Sequence, residues 1–327
     1  MERTLKELQY KQALPLEIKV KMTKNRIREW VKEFGVNGVY VSFSGGKDST
    51  VLLHIVREIY PTIPAVFIDT GLEYPEIRDF VKTFDNVEWV KPKMNFKQVI
   101  NRYGYPFISK EVSDKVHCAK LNPHGYAWGA LHGKKQGMWD FSKWAYLLDA
   151  PFEISADCCR IMKKTPAKRY ERKTGRKPIV GTMAQESKVR TTQWLQHGCN
   201  AFDKKRQIST PMAFWTEKDV LRYIKRRDIK IASVYGEIVY VDTCGNEYDN
   251  VICEEYADIK ATGVNRTGCM FCGYGCHLEK GKGRFELMKE THPKQYEYIM
   301  KPWKDGGLNY KEIIDWMNEN GNLNIRY

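Results

Sequence analysis

The 327-residue chain is strongly basic, with 54 lysine and arginine residues against 40 aspartate and glutamate residues and a formal net charge of +14. A chain of this length can bury a full hydrophobic core, and it has no run of about eighteen apolar residues that could cross a membrane. The first residues lack the apolar stretch of a signal peptide, so we expect a cytoplasmic protein. Nine cysteines, an odd number, favour metal or redox chemistry over disulfides in that compartment.

A glycine-rich loop follows the first apolar segment of the chain. Residues 39–43 predict a buried strand, and the apolar residues 51–56 predict a helix. Glycine amides, hydroxyls, a lysine and a helix N-terminus together favour a bound oxyanion. The spacing differs from that of the Walker loop, so the sequence predicts another kind of phosphate site. The residues of this loop are Ser44, Gly45, Gly46, Lys47, Asp48 and Ser49.

Apolar runs at 65–69, 88–90 and 179–182 predict three further strands, and a helical pattern joins the first two strands of the chain. We therefore predict an α/β fold with a doubly wound, mostly parallel sheet, helical additions and a cysteine-rich metal region. Thr216 predicts the start of a helix, because its hydroxyl can cap the first turn together with Asp219.

Three segments are expected along the chain. The first, 1–36, is an N-terminal helical segment. The second, 37–230, is a nucleotide-binding domain with an insertion around 101–149. The third, 231–327, is a metal region with a helical tail. The insertion is rich in lysine, glycine and tryptophan, and we expect it to cover a substrate cleft.

Four cysteines lie in two short motifs that are far apart in the sequence. Cys158 and Cys159 are adjacent, and Cys269 and Cys272 form a C-x-x-C flanked by glycines. A C-x-x-C turn presents two thiolates to one metal, whereas ring strain disfavours a disulfide between adjacent cysteines. The four thiolates could hold a [4Fe–4S] cluster or a zinc ion, and buried structural thiols are the remaining interpretation.

The order of these elements resembles the phosphoadenosine phosphosulfate (PAPS) reductase family, within the PP-loop ATP pyrophosphatase (adenine nucleotide alpha hydrolase-like) superfamily. The resemblance rests on Ser44–Ser49, Phe67–Gly71, Cys158–Arg160, Gly181–Arg190, Pro211, Trp215–Thr216 and Arg266–Cys272. It implies a [4Fe–4S] cluster on Cys158, Cys159, Cys269 and Cys272. It also implies an adenine nucleotide bound by Ser44–Ser49, Asp69, Gly181, Glu186, Ser187 and Arg190.

Three features depart from that family. The loop keeps the ATP-binding form Ser-Gly-Gly-x-Asp-Ser, which sulfonucleotide reductases generally alter. The chain ends without the cysteine-containing tail of those reductases, so we expect a different activity. Met183 stands where the family element has its first arginine. Cys276 and Cys199 are the candidate reactive thiols, and Cys276 is the predicted catalytic one.

The intact loop favours an enzyme that binds ATP with Mg²⁺ and cleaves it to AMP and pyrophosphate, activating an acceptor for sulfur transfer. Lys47 and Asp48 are the predicted catalytic residues of the loop, with Lys47 stabilising the leaving pyrophosphate. One alternative is a reductase that forms sulfite from PAPS or adenylyl sulfate. Another is a non-catalytic Fe–S module that binds nucleotides or nucleic acid. A sulfur donor protein is a candidate partner.

Basic residues are dense between positions 160 and 177. Such density suits a polyanion, so tRNA or DNA is a candidate acceptor. A solvated helix face is the alternative interpretation. The nine residues are Arg160, Lys163, Lys164, Lys168, Arg169, Arg172, Lys173, Arg176 and Lys177.

Overall fold

The computed structural model describes residues 3–242, 247–248 and 257–327. The chain divides into two compact units, each built from segments that are discontinuous in sequence. Unit 1 comprises Met1–Asp69, Glu73–Lys91 and Pro166–Gly268. Unit 2 comprises Thr70–Leu72, Pro92–Thr165 and Cys269–Tyr327. The division at residues 36 and 230 into independent domains stays a prediction.

The secondary-structure elements of the described residues are numbered here in chain order. The strands are β1 (Val39–Ser42), β2 (Ala65–Ile68), β3 (Val87–Val90), β4 (Phe107–Ile108), β5 (Lys177–Val180), β6 (Asn200–Ala201), β7 (Ile208–Ser209), β8 (Ile238–Val241), β9 (Glu247–Tyr248), β10 (Asp258–Ala261) and β11 (Gly273–Tyr274). The helices are α1 (Leu5–Ala13), α2 (Leu16–Phe34), α3 (Lys47–Ile59), α4 (Pro75–Lys82), α5 (Phe96–Tyr103), α6 (Lys110–Leu121), α7 (Tyr126–Leu131), α8 (Asp157–Cys159), α9 (Thr165–Thr174), α10 (Lys188–His197), α11 (Glu217–Arg226), α12 (Arg284–Thr291), α13 (Pro293–Met300) and α14 (Tyr310–Gly321).

Unit 1 contains a six-stranded sheet with the order β3-β2-β1-β5-β7-β6. The pairs from β3 to β7 are parallel, and β6 runs antiparallel to β7. Val41 of β1 lies opposite Ala65 of β2 on one side and Ile179 of β5 on the other. The predicted α/β class with a mostly parallel sheet is confirmed. A second, antiparallel sheet of unit 1 has the order β10-β8-β9.

The hydrophobic core of unit 1 explains why these segments form strands and helices. The apolar residues of β1 and the first three residues of β2 are buried, as their continuous apolar runs predicted. Helix α2 contributes Ile27 and Trp30, which are fully buried in the same core. Helix α11 begins as predicted, because the Thr216 hydroxyl accepts the Asp219 N–H and the Asp219 carboxylate accepts the Thr216 N–H.

Unit 2 combines helices with a short parallel pair, β4 and β11. Its buried centre is aromatic: the rings of Phe107 and Tyr310 lie 5.1 Å apart, and those of Phe285 and Tyr310 lie 5.9 Å apart. The tail of the chain is helical, as predicted, through α12, α13 and α14. Within the described residues, no helix combines the length and the apolar character needed to span a membrane.

Candidate nucleotide site and cysteine cavity

Three predicted nucleotide contacts follow neighbouring parallel strands of unit 1. The glycine-rich loop follows β1, Asp69 follows β2 and Gly181 follows β5. Since β1 lies between β2 and β5, these residues meet at the carboxyl edge of the sheet, where open α/β sheets bind ligands. A Cβ on Gly181 would lie 3.0 Å from the Asp48 carbonyl oxygen, so the chain after β5 packs closely against the loop.

The loop itself needs glycine for packing. Gly45 has a φ of +72°, and a Cβ there would lie 2.7 Å from Val81 and 2.8 Å from Ile77 of α4. Gly46 is the N-cap of α3 and provides no side-chain cap for its first turn. A Cβ on Gly46 would face three hydroxyl oxygens, at 3.2 to 3.4 Å, from Tyr235, Ser44 and Thr267. The space beside Gly46 is therefore polar.

Hydroxyl groups hold the loop in its shape. The Ser44 N–H donates to the Ser49 Oγ over 3.1 Å, and the Ser49 hydroxyl donates to the Gly46 carbonyl over 2.9 Å. The hydroxyls of Ser44 and Ser49 lie 3.0 Å apart. The predicted phosphate-binding serines thus already form a connected network across the loop.

Lys47 is nearly buried, with 3% of its surface exposed. Its ammonium donates to the Asn265 carbonyl over 2.6 Å and pairs with the Glu217 carboxylate at 2.9 Å. Its backbone N–H donates to the Tyr235 hydroxyl, which is itself 2.6 Å from the Thr267 hydroxyl. A phosphate that bound Lys47 would therefore have to replace an oxygen already in contact with the ammonium.

Asp48 has an unusual carboxylate. Its Oδ1 is buried and has no hydrogen-bond partner among the residues that the structure describes. Burial raises the pKa of Asp48 to about 6; the Lys47 charge opposes this shift, and the Glu186 and Glu217 carboxylates add to it. A buried carboxylate oxygen without a partner beside a phosphate loop suits a cation bound together with phosphates.

The other predicted nucleotide contacts already have protein partners. The Asp69 carboxylate is 5% exposed; Arg78 contacts it at 3.2 Å and Lys91 at 3.9 Å. Glu186 accepts the Met183 N–H over 2.7 Å and pairs with Arg190, while the Ser187 hydroxyl caps α10 by accepting the Arg190 N–H. These contacts fix the chain after β5 in place.

Two cavities of unit 1 adjoin these groups. One is lined by Lys47, Gln185, Thr216, Glu217, Lys218, Leu221, Ile259, Lys260, Ala261 and Asn265. The other extends from the end of β5 along α10 and includes Arg190, Gln193, His197 and Lys204. Both have cationic groups in their walls, so both can receive anionic parts of a ligand.

The structure brings the four predicted metal ligands together in unit 2. Cys158, Cys159, Cys269 and Cys272 line one cavity, and none of the four forms a disulfide among the described residues. The Sγ atoms of Cys158 and Cys159 lie 4.0 Å apart. Among the described residues, no three histidine, cysteine, aspartate or glutamate side chains are placed to hold a single metal ion. The metal assignment therefore stays a prediction.

The protonation of these thiols is uneven. The hydrogen bond that Cys158 donates to Cys159, together with burial, raises the pKa of Cys158. The same hydrogen bond lowers the pKa of Cys159, against the effect of burial and with help from Lys110 and Lys163. Burial also raises the pKa of Cys272. The cavity thus contains one thiol that ionises readily, Cys159, beside two that retain their protons, Cys158 and Cys272.

The two candidate reactive thiols lie in unfavourable surroundings for a nucleophile. Cys276 is buried and donates to the Gly273 carbonyl over 2.9 Å, and burial raises the pKa of its thiol to about 12. Burial raises the pKa of Cys199 to about 11. Because the thiolate is the nucleophile, these values describe unreactive thiols. The catalytic role of Cys276 stays a prediction that this geometry does not favour.

Several arginines of the basic stretch form internal contacts. Arg160 makes a bidentate contact with the Asp157 carboxylate, and Arg176 donates to both the Glu88 carboxylate and the Tyr170 hydroxyl. Arg169 donates to the Lys91 carbonyl over 2.6 Å. The residues that stay largely exposed are Arg160, Lys163, Lys164, Lys168, Arg172 and Lys173, of which Arg160 is held by Asp157. The polyanion-binding prediction therefore depends on fewer side chains than the sequence count suggests.

A sequence model of the phosphoadenosine phosphosulfate reductase domain matches residues 38–125 and 108–273. The chain belongs to the PAPS reductase family. The family resemblance predicted from the motifs is thereby confirmed.

Relatives of this PAPS reductase family member are distant. An uncharacterized protein of Methanocaldococcus jannaschii is 24% identical over 284 residues, which are 86% of this chain and 51% of that protein. A phosphoadenosine 5'-phosphosulfate reductase of Xanthomonas euvesicatoria is 24% identical over 61% of this chain and 67% of its own length. An adenosine 5'-phosphosulfate reductase of Staphylococcus haemolyticus is 23% identical over 64% and 70%, respectively. The chain spans about half the length of the M. jannaschii relative.

A PAPS reductase from Candida auris, solved as a phosphate complex, aligns with 71% of this chain and 91% of its own chain. The sequence identity is 14% and the TM-score is 0.38. A score this low supports no argument about the site.

Sequence reasoning did not predict the contacts that four residues make around the loop: Glu217, Tyr235, Asn265 and Thr267. They lie about 170 to 220 positions after the loop, and local sequence patterns do not predict contacts between residues so far apart. The sequence contains one signal for Glu217: it directly follows Thr216, the predicted cap, and so begins a helix.

Proposed function

We propose that this PAPS reductase family member binds ATP with Mg²⁺ through the loop Ser44–Ser49 and cleaves it to AMP and pyrophosphate. The observation that carries the proposal is the loop itself. It has the Ser-Gly-Gly-x-Asp-Ser sequence, it joins β1 to the N-terminus of α3, and it places Lys47 and Asp48 side by side. A helix N-terminus and a lysine together favour the charge of a leaving pyrophosphate.

The reaction is a displacement at the α-phosphorus. A nucleophilic oxygen of the acceptor forms a bond to that phosphorus, and the bond from it to the oxygen that bridges to the β-phosphorus breaks. Pyrophosphate leaves with the bonding electron pair, and the acceptor is adenylated. A sulfur nucleophile then displaces AMP. The roles proposed for this chain are charge stabilisation by Lys47 and by the first turn of α3.

For Lys47 to act, its ammonium must exchange an oxygen of Glu217 or Asn265 for a phosphate oxygen. Asp48 is the residue proposed to contact Mg²⁺, because its Oδ1 is buried without a partner among the described residues. Mg²⁺ would supply neutralisation of the phosphate charge.

The four cysteines of unit 2 are proposed to hold a [4Fe–4S] cluster, with zinc as the alternative. An all-thiol donor set fits both. The cysteines line one cavity of unit 2. The cluster is favoured over zinc by the family resemblance. Such a cluster would carry or deliver sulfur, and a sulfur donor protein and a nucleic-acid acceptor stay proposed partners.

A second candidate is reduction of a sulfonucleotide to sulfite. The names of the Xanthomonas and Staphylococcus relatives favour it. The two candidates differ in the nucleotide that the loop prefers: ATP for the first, and PAPS or adenylyl sulfate for the second. A nucleotide-binding module without catalysis would bind either ligand and release no product.

Calorimetric titration of the full chain with Mg-ATP, PAPS and adenylyl sulfate tests this choice, followed by measurement of AMP and pyrophosphate formed from ATP. Binding of ATP in preference to both sulfonucleotides supports the proposal. Gly46→Val should abolish that binding, because a branched side chain would fill the polar space beside the loop. Gly38→Val is the matched control, since a Cβ there meets only Phe34, at 3.4 Å. Preference for a sulfonucleotide, or unchanged ATP affinity in folded Gly46→Val, would refute the proposal.

A further inference from the structure

The longest part of the chain without an aspartate or glutamate lies in unit 2. Residues 115–139 contain four lysines and three histidines but no aspartate or glutamate. The chain as a whole contains 40 acidic residues in 327, so a stretch of this length would ordinarily include several. We call this stretch the 115–139 surface. It comprises the second half of α6, helix α7 and a short turn at Gly137–Trp139.

Large apolar side chains of the 115–139 surface are exposed. Tyr126 is 49% exposed and Trp139 is 51% exposed, while Leu121 and Met138 are 73% and 78% exposed. Exposed apolar patches mark interaction sites, and these four side chains lie within residues 121–139 of the chain. Gly133 and Gly137, with φ of +68° and +60°, form the turns that lead from α7 to Trp139.

Cations lie directly against the exposed rings. The ammonium groups of Lys115 and Lys135 lie 5.1 Å and 5.0 Å from the centre of the Tyr126 ring. The Trp128 ring stacks on the exposed His132 ring, with the centres 4.0 Å apart and the planes inclined by 24°. The 115–139 surface therefore presents aromatic faces beside positive charge.

The carboxylates near this surface are few and lie at its margins. Glu111 and Asp114 are exposed on α6 before Lys115. Glu153 pairs with Lys120 at 3.3 Å, and Asp140 accepts the Ser142 N–H over 2.9 Å. The positive charge beside Tyr126 thus comes from Lys115 and Lys135, and Lys134 is a further exposed cation of the same surface.

We propose that the 115–139 surface binds single-stranded nucleic acid. Bases in a single strand can stack on exposed aromatic rings, and lysines can contact the phosphates that join them. A duplex keeps its base faces covered and could use only the charge. This inference goes beyond the proposed ATP chemistry and does not depend on it. It also places nucleic acid on a different element from α9, where the density of basic residues in the sequence first suggested it.

Fluorescence anisotropy of the full chain with labelled single-stranded RNA and DNA of about 20 nucleotides tests the proposal. Affinity should fall steeply between about 50 and 200 mM salt, because bound lysines release counterions. Trp139→Ala should weaken binding about tenfold with little change in the salt dependence, since it removes stacking and no charge. Trp139→Phe should restore much of the affinity.

A matched pair of charge reversals locates the surface. Lys134→Glu with Lys135→Glu should weaken binding at least tenfold and lower the magnitude of the salt slope by about 1 or more. Lys168→Glu with Lys173→Glu on α9 changes the net charge equally and should have a much smaller effect. All four lysines are at least partly exposed, so both variants should fold, which circular dichroism checks.

Four outcomes would overturn the proposal. The first is an equal or larger loss of affinity in the α9 variant, and the second is no binding by the wild-type chain at low salt. The third is binding of duplex as tight as that of single strands, with affinity unchanged in Trp139→Ala. The fourth is binding of anionic lipid vesicles without binding of oligonucleotides. The last outcome would assign the exposed aromatic and aliphatic side chains to a membrane surface.

Discussion

The polar groups of the loop in unit 1 and the thiols of the cavity in unit 2 find their bonding partners in different ways. In the loop, protein oxygens hold the key groups: Lys47 contacts Glu217 and Asn265, and the serines contact each other. In the cavity, two of the thiols hold their protons, because the hydrogen bond to Cys159 and burial raise the pKa of Cys158 and burial raises the pKa of Cys272. A ligand of the loop must displace oxygen atoms, whereas a metal in the cavity must displace protons.

The comparison predicts a complete loss of bound metal when one thiol of the cavity is removed. Anaerobically purified wild-type protein should be brown and contain iron and sulfide, and Cys272→Ser should be colourless. Cys118→Ser is the matched control, since Cys118 is an exposed thiol of the same unit outside the cavity. Iron retained in Cys272→Ser would contradict the ligand assignment. One zinc per chain in wild type would refute the iron assignment and leave the four ligands standing.

The loop depends on α11, and a buried ion pair fixes the start of that helix. Lys19 of α2 contacts Asp219 at 2.7 Å, and both side chains are at most 5% exposed. Lys19→Met should cost about 3–5 kcal/mol of unfolding free energy, because Asp219 would remain buried without its cation. Lys24→Met removes a more exposed pair, with Glu58, from the same helix and should cost about 1 kcal/mol or less. If urea denaturation showed equal losses of unfolding free energy in Lys19→Met and Lys24→Met, burial would not be what makes the Lys19–Asp219 pair important.

Asp48 should lower the stability of the protein near neutral pH. Its folded-state pKa of about 6 lies above the ordinary value of 3.8, so the folded protein retains a proton that the unfolded chain has released. The free energy of unfolding should therefore fall as the pH rises from about 4 to about 6 and stay lower above that range. Asp48→Asn should be more stable than wild type by roughly 3 kcal/mol at pH 8. The difference should shrink toward pH 4, and a difference independent of pH would exclude this cause.

A smaller effect is expected at Glu217. If this carboxylate competes with phosphate for Lys47, Glu217→Gln should bind Mg-ATP about three- to tenfold more tightly, which corresponds to about 0.7–1.4 kcal/mol. Glu33→Gln removes an exposed carboxylate from α2 and should leave the affinity unchanged. Weaker binding by Glu217→Gln in calorimetric titration would indicate instead that Glu217 helps Lys47 to reach the ligand.

Local patterns in the sequence were sufficient for part of this account. The apolar run before Ser44 and the glycines after it predicted β1, the loop and α3, because all of the determinants lie within about fifteen residues. The cap at Thr216 was predicted for the same reason. The cysteine cavity needed the family resemblance, since Cys159 and Cys269 are 110 positions apart in the sequence.

Long-range contacts account for what the sequence did not reveal. Nothing near Lys47 indicates that Asn265 and Glu217 hold its ammonium. Nor did the basic stretch reveal that Glu88, 88 positions earlier in the chain, pairs with Arg176.

The central claim is that the loop grips the pyrophosphate part of ATP, and the ratio of ATP to AMP affinity measures this grip most directly. Calorimetric titration in Mg²⁺ should show that wild type binds ATP about 100-fold more tightly than AMP, because AMP lacks the β and γ phosphates that would contact Lys47. Lys47→Met should reduce that ratio to about tenfold or less while leaving AMP affinity almost unchanged. Equal affinity of wild type for ATP and AMP, or a ratio unaffected by Lys47→Met, would contradict the account.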